Sequence, residues 1–250
     1  MKTLFVGKNC IKIEKIDSTN SHLQRLIRDN DLSEGTIVTA YSQEQGRGQR
    51  GTAWHSDEGK NLILSILLKP TFLKAEDQFW LNKAVSLAVA EFVTSTPSLE
   101  LRSQPSRSAR LFKEKGVRDE VKIKWPNDIY IGNKKVAGIL IENSVNGNVL
   151  QQSVVGIGIN INQMVFSEEL PNPTSLQLIS GKEFDLEECL SLLCSSIENN
   201  YLQLKAGKSA QLDYDYLKNL YCFGQWAQYA YQGQKIMAKI IYCITLLSEA

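Results

Sequence analysis

Apolar and polar residues alternate along several short stretches of the chain, and this period of two is typical of β-strands. Residues 11–16 alternate isoleucine with charged side chains, and residues 61–68 are almost wholly apolar. Similar stretches predict further strands at 36–40, 121–125, 129–131, 136–142, 151–160, 225–231 and 234–243. Turn residues at 132–133 and 146–148 separate three of these strands. We therefore expect consecutive antiparallel hairpins in the second half of the chain.

Other segments repeat their apolar residues with the period of an α-helix. Ser18 or Thr19 is placed to cap a helix that follows the first strand, and longer helices are predicted at 78–92 and 185–201. The combined pattern predicts an α+β fold, in which helices pack mainly on one face of a mixed or antiparallel sheet.

Two regions interrupt this pattern. Residues 95–119 contain six arginines and lysines among serines and prolines without sustained periodicity, which predicts an exposed basic loop. After residue 222 only two strands are predicted before the sequence stops at Ala250. We therefore divide the chain into a main domain over 1–222 and a small, partial β domain over 223–250.

Composition narrows the possible classes of protein. The 28 basic residues balance 27 acidic ones, so no overall field attracts nucleic acid or a membrane surface. Five cysteines form neither a C-x-x-C pair nor a Cys/His ligand set. The longest apolar run is far shorter than a membrane span, and no signal peptide is apparent. These features predict a cytoplasmic protein with reduced thiols.

The chemistry concentrates in two polar clusters. In one, Lys124-Trp125-Pro126-Asn127-Asp128 precedes Lys134-Lys135-Val136-Ala137-Gly138-Ile139-Leu140. The other is a glycine-rich segment from Gln43 to Gly51 that contains Arg47 and Arg50. Glycine allows close approach to the backbone, and arginine binds phosphate or carboxylate in a bidentate fork. The two clusters together predict an enzyme that handles an anionic substrate.

These motifs resemble those of the biotin protein ligases. The resemblance runs from about Ile13 to Asn162 and also includes Asp17-Ser18-Thr19-Asn20 and Gly156-Ile157-Gly158-Ile159-Asn160. It implies a class II synthetase-like catalytic domain that uses ATP and Mg²⁺ to convert biotin to biotinyl-5′-AMP. A lysine of a biotin carboxyl carrier protein or domain then receives the biotin. Relatives usually have a shorter connection at 95–119 and a complete C-terminal β domain, so the end of this chain looks shortened.

The resemblance also implies roles for individual residues. Lys135, Arg47 and Asp128 would be catalytic, with Asp128 either positioning magnesium or accepting the proton of the incoming lysine; no fixed protein metal site is expected. Biotin would contact Ser18, Thr19, Asn20, Gln43, Arg47, Gly48, Gln49, Lys135, Gly138 and Gly158. The nucleotide would contact Arg50, Trp54, Lys124, Asn127 and Asn160. Some relatives carry arginine at the position of Gln49, so retention of the adenylate would depend more heavily on Arg47 and Arg50.

Several alternatives remain open on the sequence. A lipoate or octanoyl protein ligase has the same architecture, although the two motif clusters favour biotin. A catalytically impaired biotin-binding protein is suggested by the shortened end. Repression of transcription is disfavoured, because 16 residues before Asp17 are too few for a helix-turn-helix domain and no DNA partner is expected. A homodimer is possible. The spacing Gly46-x-Gly48-x-x-Gly51 also matches a dinucleotide fingerprint, but the segment leads into a strand rather than a helix.

Overall fold

The fold is built on a seven-stranded mixed sheet, seen in a computed structural model that describes residues 2–96, 120–231 and 233–243. The strand order is β1-β2-β3-β7-β6-β5-β4. The strands are β1 (Cys10–Ile16), β2 (Ile37–Gln43), β3 (Leu62–Leu68), β4 (Val121–Lys124), β5 (Asp128–Ile131), β6 (Lys134–Asn146) and β7 (Val149–Ile159). β1 and β2 pair in parallel, and every other neighbouring pair in this sheet is antiparallel. The predicted hairpins are confirmed. Of the predicted basic loop, residues 97–119 lie outside the described residues.

The helices are α1 (Thr19–Asp29), α2 (Gln78–Ser95), α3 (Leu176–Ser180), α4 (Leu186–Lys205) and α5 (Ser209–Lys218). Ser18 is the N-cap of α1, and Asp185 caps α4 by accepting a hydrogen bond from the Glu188 N–H at 2.8 Å. The pattern did not predict α3 or α5, since each buries too few residues to show a helical stripe. No helix in the described part of the chain is both long and apolar enough to cross a membrane.

Alternate residues of the central strands face two different cores. Ile37, Ile66 and Val155 join the large core beneath α2, α4 and α5. Their neighbours Val38 and Leu67 join a smaller cluster with Val154 and the apolar side of α1. The helices thus pack mainly on one face, as predicted, while α1 alone covers part of the other.

A buried ion pair joins two helices of the main layer. Lys83 of α2 is 5% exposed at its side chain, and its Nζ lies 2.5 Å from Asp213 Oδ1 of α5. The ammonium also lies 4.4 Å from the ring centroid of Trp80 and 5.8 Å from that of Tyr216. Such a desolvated ammonium needs both its carboxylate partner and the aromatic faces. The pair therefore fixes how α5 packs on α2.

A second buried charge holds the start of the chain. The carboxylate of Glu198, in α4, accepts backbone N–H bonds from Leu4, Phe5 and Val6 at 2.6, 2.7 and 3.0 Å. Burial disfavours the charged form of Glu198, but the three donors outweigh it and lower its pKa. This contact ties the segment before β1 to the helical layer.

The end of the described chain forms a separate two-stranded sheet. β8 (Trp226–Tyr231) pairs antiparallel with β9 (Gln234–Lys239). Both strands were predicted, with β9 ending four residues earlier than expected.

Candidate active site

A strip of glycines on β6 and β7 forms one wall of the site. Gly138 lies directly opposite Gly158, and Leu140 lies opposite Gly156. The indole of Trp54 covers the first of these pairs. A Cβ added to Gly138 would approach Trp54 Cζ3 to 3.2 Å, and one added to Gly158 would overlap the indole itself. Glycine is therefore required here to seat a large aromatic ring against the sheet.

The cavity beside this strip has a volume of about 250 Å³. It collects residues from five parts of the sequence: the start of α1, the glycine-rich loop with the end of β2, β3, the β5–β6 hairpin, and β7. Most of the residues assigned by resemblance line it, namely Ser18, Thr19, Asn20, Gln43, Arg47, Gly48, Gln49, Trp54, Asn127, Asp128, Lys135, Gly138 and Gly158. Lys124 and Asn160 do not line the cavity. The side chain of Arg50 lies outside the described residues.

Lys135 is held at the cavity wall by its neighbour on β5. Its Nζ lies 2.7 Å from Asp128 Oδ1. The side chain of Lys135 is 32% exposed and that of Asp128 is 23% exposed. The same ammonium is 5.7 Å from the centroid of the Trp54 ring. A register shift between β5 and β6 places Tyr130, rather than Ile131, opposite Lys135. The result is a cation held at the cavity wall beside the Trp54 ring.

Two hydrogen bonds between Asn127 and the backbone of Ile139 hold the turn between β4 and β5 in place. Asn127 Nδ2 donates to the Ile139 carbonyl at 2.7 Å, and the Ile139 N–H donates back to the Asn127 carbonyl at 3.0 Å. Lys124 turns to Tyr130, with its Nζ 3.1 Å from the phenol oxygen and 4.8 Å from the ring centroid. Asn127 thus uses its donor group structurally, which leaves its side-chain oxygen free to accept.

The floor of the cavity is a chain of polar contacts around α1. Gln43 Oε1 accepts from the Thr19 N–H at 2.9 Å. The hydroxyl of Ser65 lies 2.5 Å from Asn20 Oδ1 and 2.8 Å from Thr19 Oγ1. Because Asn20 Oδ1 only accepts, Ser65 donates to it and the Thr19 hydroxyl donates to Ser65. These contacts orient the polar groups of the floor.

Sequence reasoning missed Ser65, although a signal for it was present. It interrupts the otherwise apolar strand Leu62–Leu68 and is fully buried. A buried hydroxyl in the middle of an apolar strand requires a polar partner. Here the partners are the first two residues of α1.

Asp17, which precedes the floor residues, is bound to α1. Arg25 donates to both of its carboxylate oxygens, at 2.8 and 2.9 Å. This fork holds the pKa of Asp17 well below its usual range. The carboxylate orients α1 and does not line the cavity.

The glycine-rich loop folds back on itself above the floor. The Gly48 N–H donates to the Thr52 carbonyl, and the Trp54 N–H donates to the Gly46 carbonyl. The backbones of Arg47 and Ala53 pair in an isolated antiparallel β-bridge. The motif itself ends in a three-residue 3₁₀ turn, Gln49–Gly51, and no helix follows it before β3, so the dinucleotide-type helix is absent from this described segment. Arg47 Nη2 lies 2.9 Å from Glu142 Oε2, a contact that the sequence did not indicate.

The remaining polar candidates have structural partners. Asn160 Nδ2 donates to the Thr174 carbonyl at 2.9 Å, and the Thr174 N–H donates to the carbonyl of Lys135. Asn160 therefore supports the segment that pairs with the start of β6. Within the described residues, no group of three histidine, cysteine, aspartate or glutamate side chains is arranged to hold a metal ion.

Comparison with known proteins gives a consistent assignment. The model of the biotin/lipoate A/B protein ligase family matches residues 13–160. The bifunctional ligase/repressor BirA of Bacillus subtilis is 30% identical over 204 residues, which cover 80% of this chain and 56% of that protein. The biotin–[acetyl-CoA-carboxylase] ligase of Paracoccus denitrificans is 32% identical over 199 residues, covering 77% of this chain and 72% of the relative.

Among solved structures, the biotin protein ligase from Aquifex aeolicus in complex with biotin and ATP has a TM-score of 0.71 and 29% identity. The match covers 94% of this chain and 87% of that one. The chain spans just over half the length of the two Bacillus BirA relatives that it matches. The fold, including its mixed sheet and terminal hairpin, agrees with the predicted class.

Proposed function

Since the chain belongs to the biotin/lipoate A/B protein ligase family, we propose that it is an ATP-dependent biotin protein ligase. In the first step a carboxylate oxygen of biotin attacks the α-phosphorus of ATP, and pyrophosphate leaves. In the second, the neutral amine of a carrier-domain lysine attacks the acyl carbon of biotinyl-5′-AMP. The amine loses a proton as the amide forms, and AMP leaves. The Paracoccus denitrificans relative is named as a biotin ligase, and the Aquifex aeolicus structure is a biotin protein ligase with biotin and ATP, which favours biotin over lipoate.

The observation that carries this proposal is the placement of two held cations on one cavity. Lys135 and Arg47 both line it, and each is paired with a carboxylate at 2.7 or 2.9 Å. The first step brings two anions together, so fixed cations supply much of the required stabilisation. We assign Lys135 to the biotin carboxylate and the phosphate it joins, and Arg47 with Gly48 and Gln49 to closure over the intermediate.

The polar floor suits the ureido ring of biotin. That ring presents two N–H donors and one carbonyl acceptor, and the floor offers hydroxyl and amide groups at Ser18, Thr19 and Gln43. Ile63 and Leu140, which lie opposite Gly158 and Gly156 on the ligand side of the sheet, are apolar, as a site for the bicyclic ring and its aliphatic chain requires. Asn20 belongs to the same floor.

Trp54 connects the two ligand subsites. Our assignment gives the glycine strip to biotin and the indole to adenine, but the indole covers Gly138 and Gly158 in this structure. The assignment therefore requires Trp54 to leave the strip when biotin enters. Its buried indole N–H has no hydrogen-bond partner among the described residues, so leaving costs no side-chain hydrogen bond.

The other nucleotide contacts remain proposals of the same kind. Lys124 and Asn127 lie at the β4–β5 turn, and Arg50 and Asn160 complete the set. Magnesium is proposed to arrive with ATP. The short contact to Lys135 supports a role for Asp128 in orienting that ammonium, and both earlier roles of Asp128 stay open. The cytoplasmic location and the homodimer also stay predictions.

The direct test is to incubate the protein with biotin, MgATP and a biotin carboxyl carrier domain. Mass spectrometry should find one added biotin per carrier, and none without ATP or with Lys135→Ala. Parallel reactions with lipoate and octanoate decide between the acyl groups. If lipoate but not biotin is attached to the carrier domain, the substrate is lipoate. If biotin binds tightly but is not attached, the protein is a biotin-binding protein and not a ligase.

A further inference from the structure

An acidic residue stands beside a site that is proposed to bind two anionic substrates. Gly138, Leu140 and Glu142 project to the same face of β6, because side chains alternate along a strand. Glu142 does not line the cavity, but its carboxylate pairs with Arg47, which does. A lone carboxylate here would repel both substrates, so its position calls for a specific role.

One oxygen of this carboxylate joins three elements of the fold. Glu142 Oε2 accepts from Arg47 Nη2 of the glycine-rich loop at 2.9 Å. It also accepts from Asn20 Nδ2, in the first turn of α1, at 2.7 Å. Asn20 is itself tightly placed, because a Cβ on Gly156 would overlap its amide. The carboxylate is therefore aimed from a rigid strand at a loop that needs anchoring.

We propose that Glu142 is the positioning residue for Arg47, and that through Asn20 it couples closure of the glycine-rich loop to the polar floor of the cavity. The proposal rests on the proposed function and deepens it. A guanidinium has five N–H donors, and Glu142 takes one hydrogen bond, so the others stay available to a substrate carboxylate or phosphate. Glu142 thus orients the cation without consuming it.

The contacts continue unbroken from the loop to the floor. From Glu142 they run through Asn20 to Ser65, then to Thr19 and Gln43. A ligand that orders one end of this chain makes the other end easier to order, and the coupling acts in both directions. Biotin on the floor is therefore expected to favour the Arg47–Glu142 contact.

The simpler explanation is an ordinary surface ion pair. The Arg47 and Glu142 side chains are 43% and 29% exposed, and pairs of that kind contribute little to stability. The two explanations differ in what a mutation changes. A surface pair would alter at most the melting temperature, whereas a positioning residue alters loop dynamics and adenylate retention.

The test compares Glu142→Gln with Glu187→Gln, which removes the same charge from an exposed pair with Lys12 outside the cavity lining. Release of preformed biotinyl-5′-AMP should be on the order of tenfold faster in Glu142→Gln and unchanged in the control. Combining Glu142→Gln with Arg47→Lys should be no worse than Arg47→Lys alone, since both act on one contact. Equal release from both glutamate variants, or multiplying effects in the double variant, would overturn the proposal.

Hydrogen exchange supplies a readout that needs no ligase activity. The amides of Gly48 and Trp54, both bonded within the loop, should exchange faster in Glu142→Gln than in wild type or Glu187→Gln. Unchanged exchange rates would refute the positioning role. A wild-type protein that forms no adenylate would instead refute the ligase function, and exchange would still decide the role of Glu142.

Discussion

Lys135 and Asp128 face each other across the β5–β6 hairpin with 2.7 Å between ammonium and carboxylate. The pair lies at the cavity wall, where Lys135 is only partly exposed. A carboxylate at this distance keeps the flexible lysine side chain in one place and leaves two of its three N–H donors for a ligand. The contact between these two adjacent strands therefore holds the cation in position before a ligand binds.

Lys135→Ala is expected to lower pyrophosphate release in the presence of biotin and ATP by at least 10²-fold, on the order of the loss seen when one preorganised donor is removed from an active site. No neutral side chain replaces a cation where two anions converge. Lys134→Ala, the exposed neighbour, is the matched control and should retain activity. Near-normal release by Lys135→Ala would remove this lysine from the mechanism.

Arg47→Gly is expected to leave biotin binding by Ser18, Thr19 and Gln43 intact while opening the loop. The adenylate then escapes, and lysines on bystander proteins become biotinylated. Labelling of serum albumin added to the reaction measures this loss of specificity. Lys15→Ala, which removes a cation that does not line the cavity, should label no more than wild type. Adenylate retention equal to wild type would show that Arg47 does not close the site.

Gly158→Ala is expected to disturb Trp54 more than Gly138→Ala does. The added methyl overlaps the indole in the first case and comes to 3.2 Å from it in the second. Tryptophan fluorescence should therefore shift strongly for Gly158→Ala and weakly for Gly138→Ala, and biotin affinity should change in the same order. Identical spectra for the two variants would contradict the seating of Trp54 on the glycine strip.

Asp213→Asn is expected to destabilise the fold by about 3 kcal/mol, because it leaves the buried Lys83 ammonium without its carboxylate. Lys83→Met should cost less, since the Asp213 side chain is 25% exposed and can be hydrated. Combining Lys83→Met with Asp213→Asn should recover part of the loss. Urea unfolding of the three variants provides the measurement, and equal costs for the two single variants would argue against the asymmetry.

Glu198 should make stability depend on pH in acid. Its folded pKa lies below its ordinary value of 4.5, so its contribution is complete above that value and is lost as pH falls through the lower folded pKa. Glu198→Gln should cost about 2 kcal/mol at neutral pH, because three N–H donors lose a charged acceptor. The difference from wild type should shrink in acid. Glu187→Gln, exposed on the same helix, should show neither effect.

Much of the fold and cavity could be predicted because the relevant signals are local. Alternation revealed the strands, and the glycine and lysine motifs marked residues that do converge on one cavity. Ser65 and Glu142 were missed because their roles depend on contacts with residues 45 and 122 positions away in sequence. The covering of Gly138 and Gly158 by Trp54 was also unpredictable, since it depends on the path of the loop between β2 and β3. Helix α5 was missed for want of a sufficiently apolar stripe.

Because side chains alternate along β6, a substitution in this strand affects either the packing of the core or the recognition of the ligand. Ala137, Ile139 and Ile141 pack towards the large core, while Gly138, Leu140 and Glu142 face the ligand side. Over these six positions, an evolving lineage can therefore alter ligand preference through even-numbered substitutions while leaving the odd-numbered packing untouched. A one-residue deletion has no such freedom, because it exchanges the two sets and damages folding and recognition together.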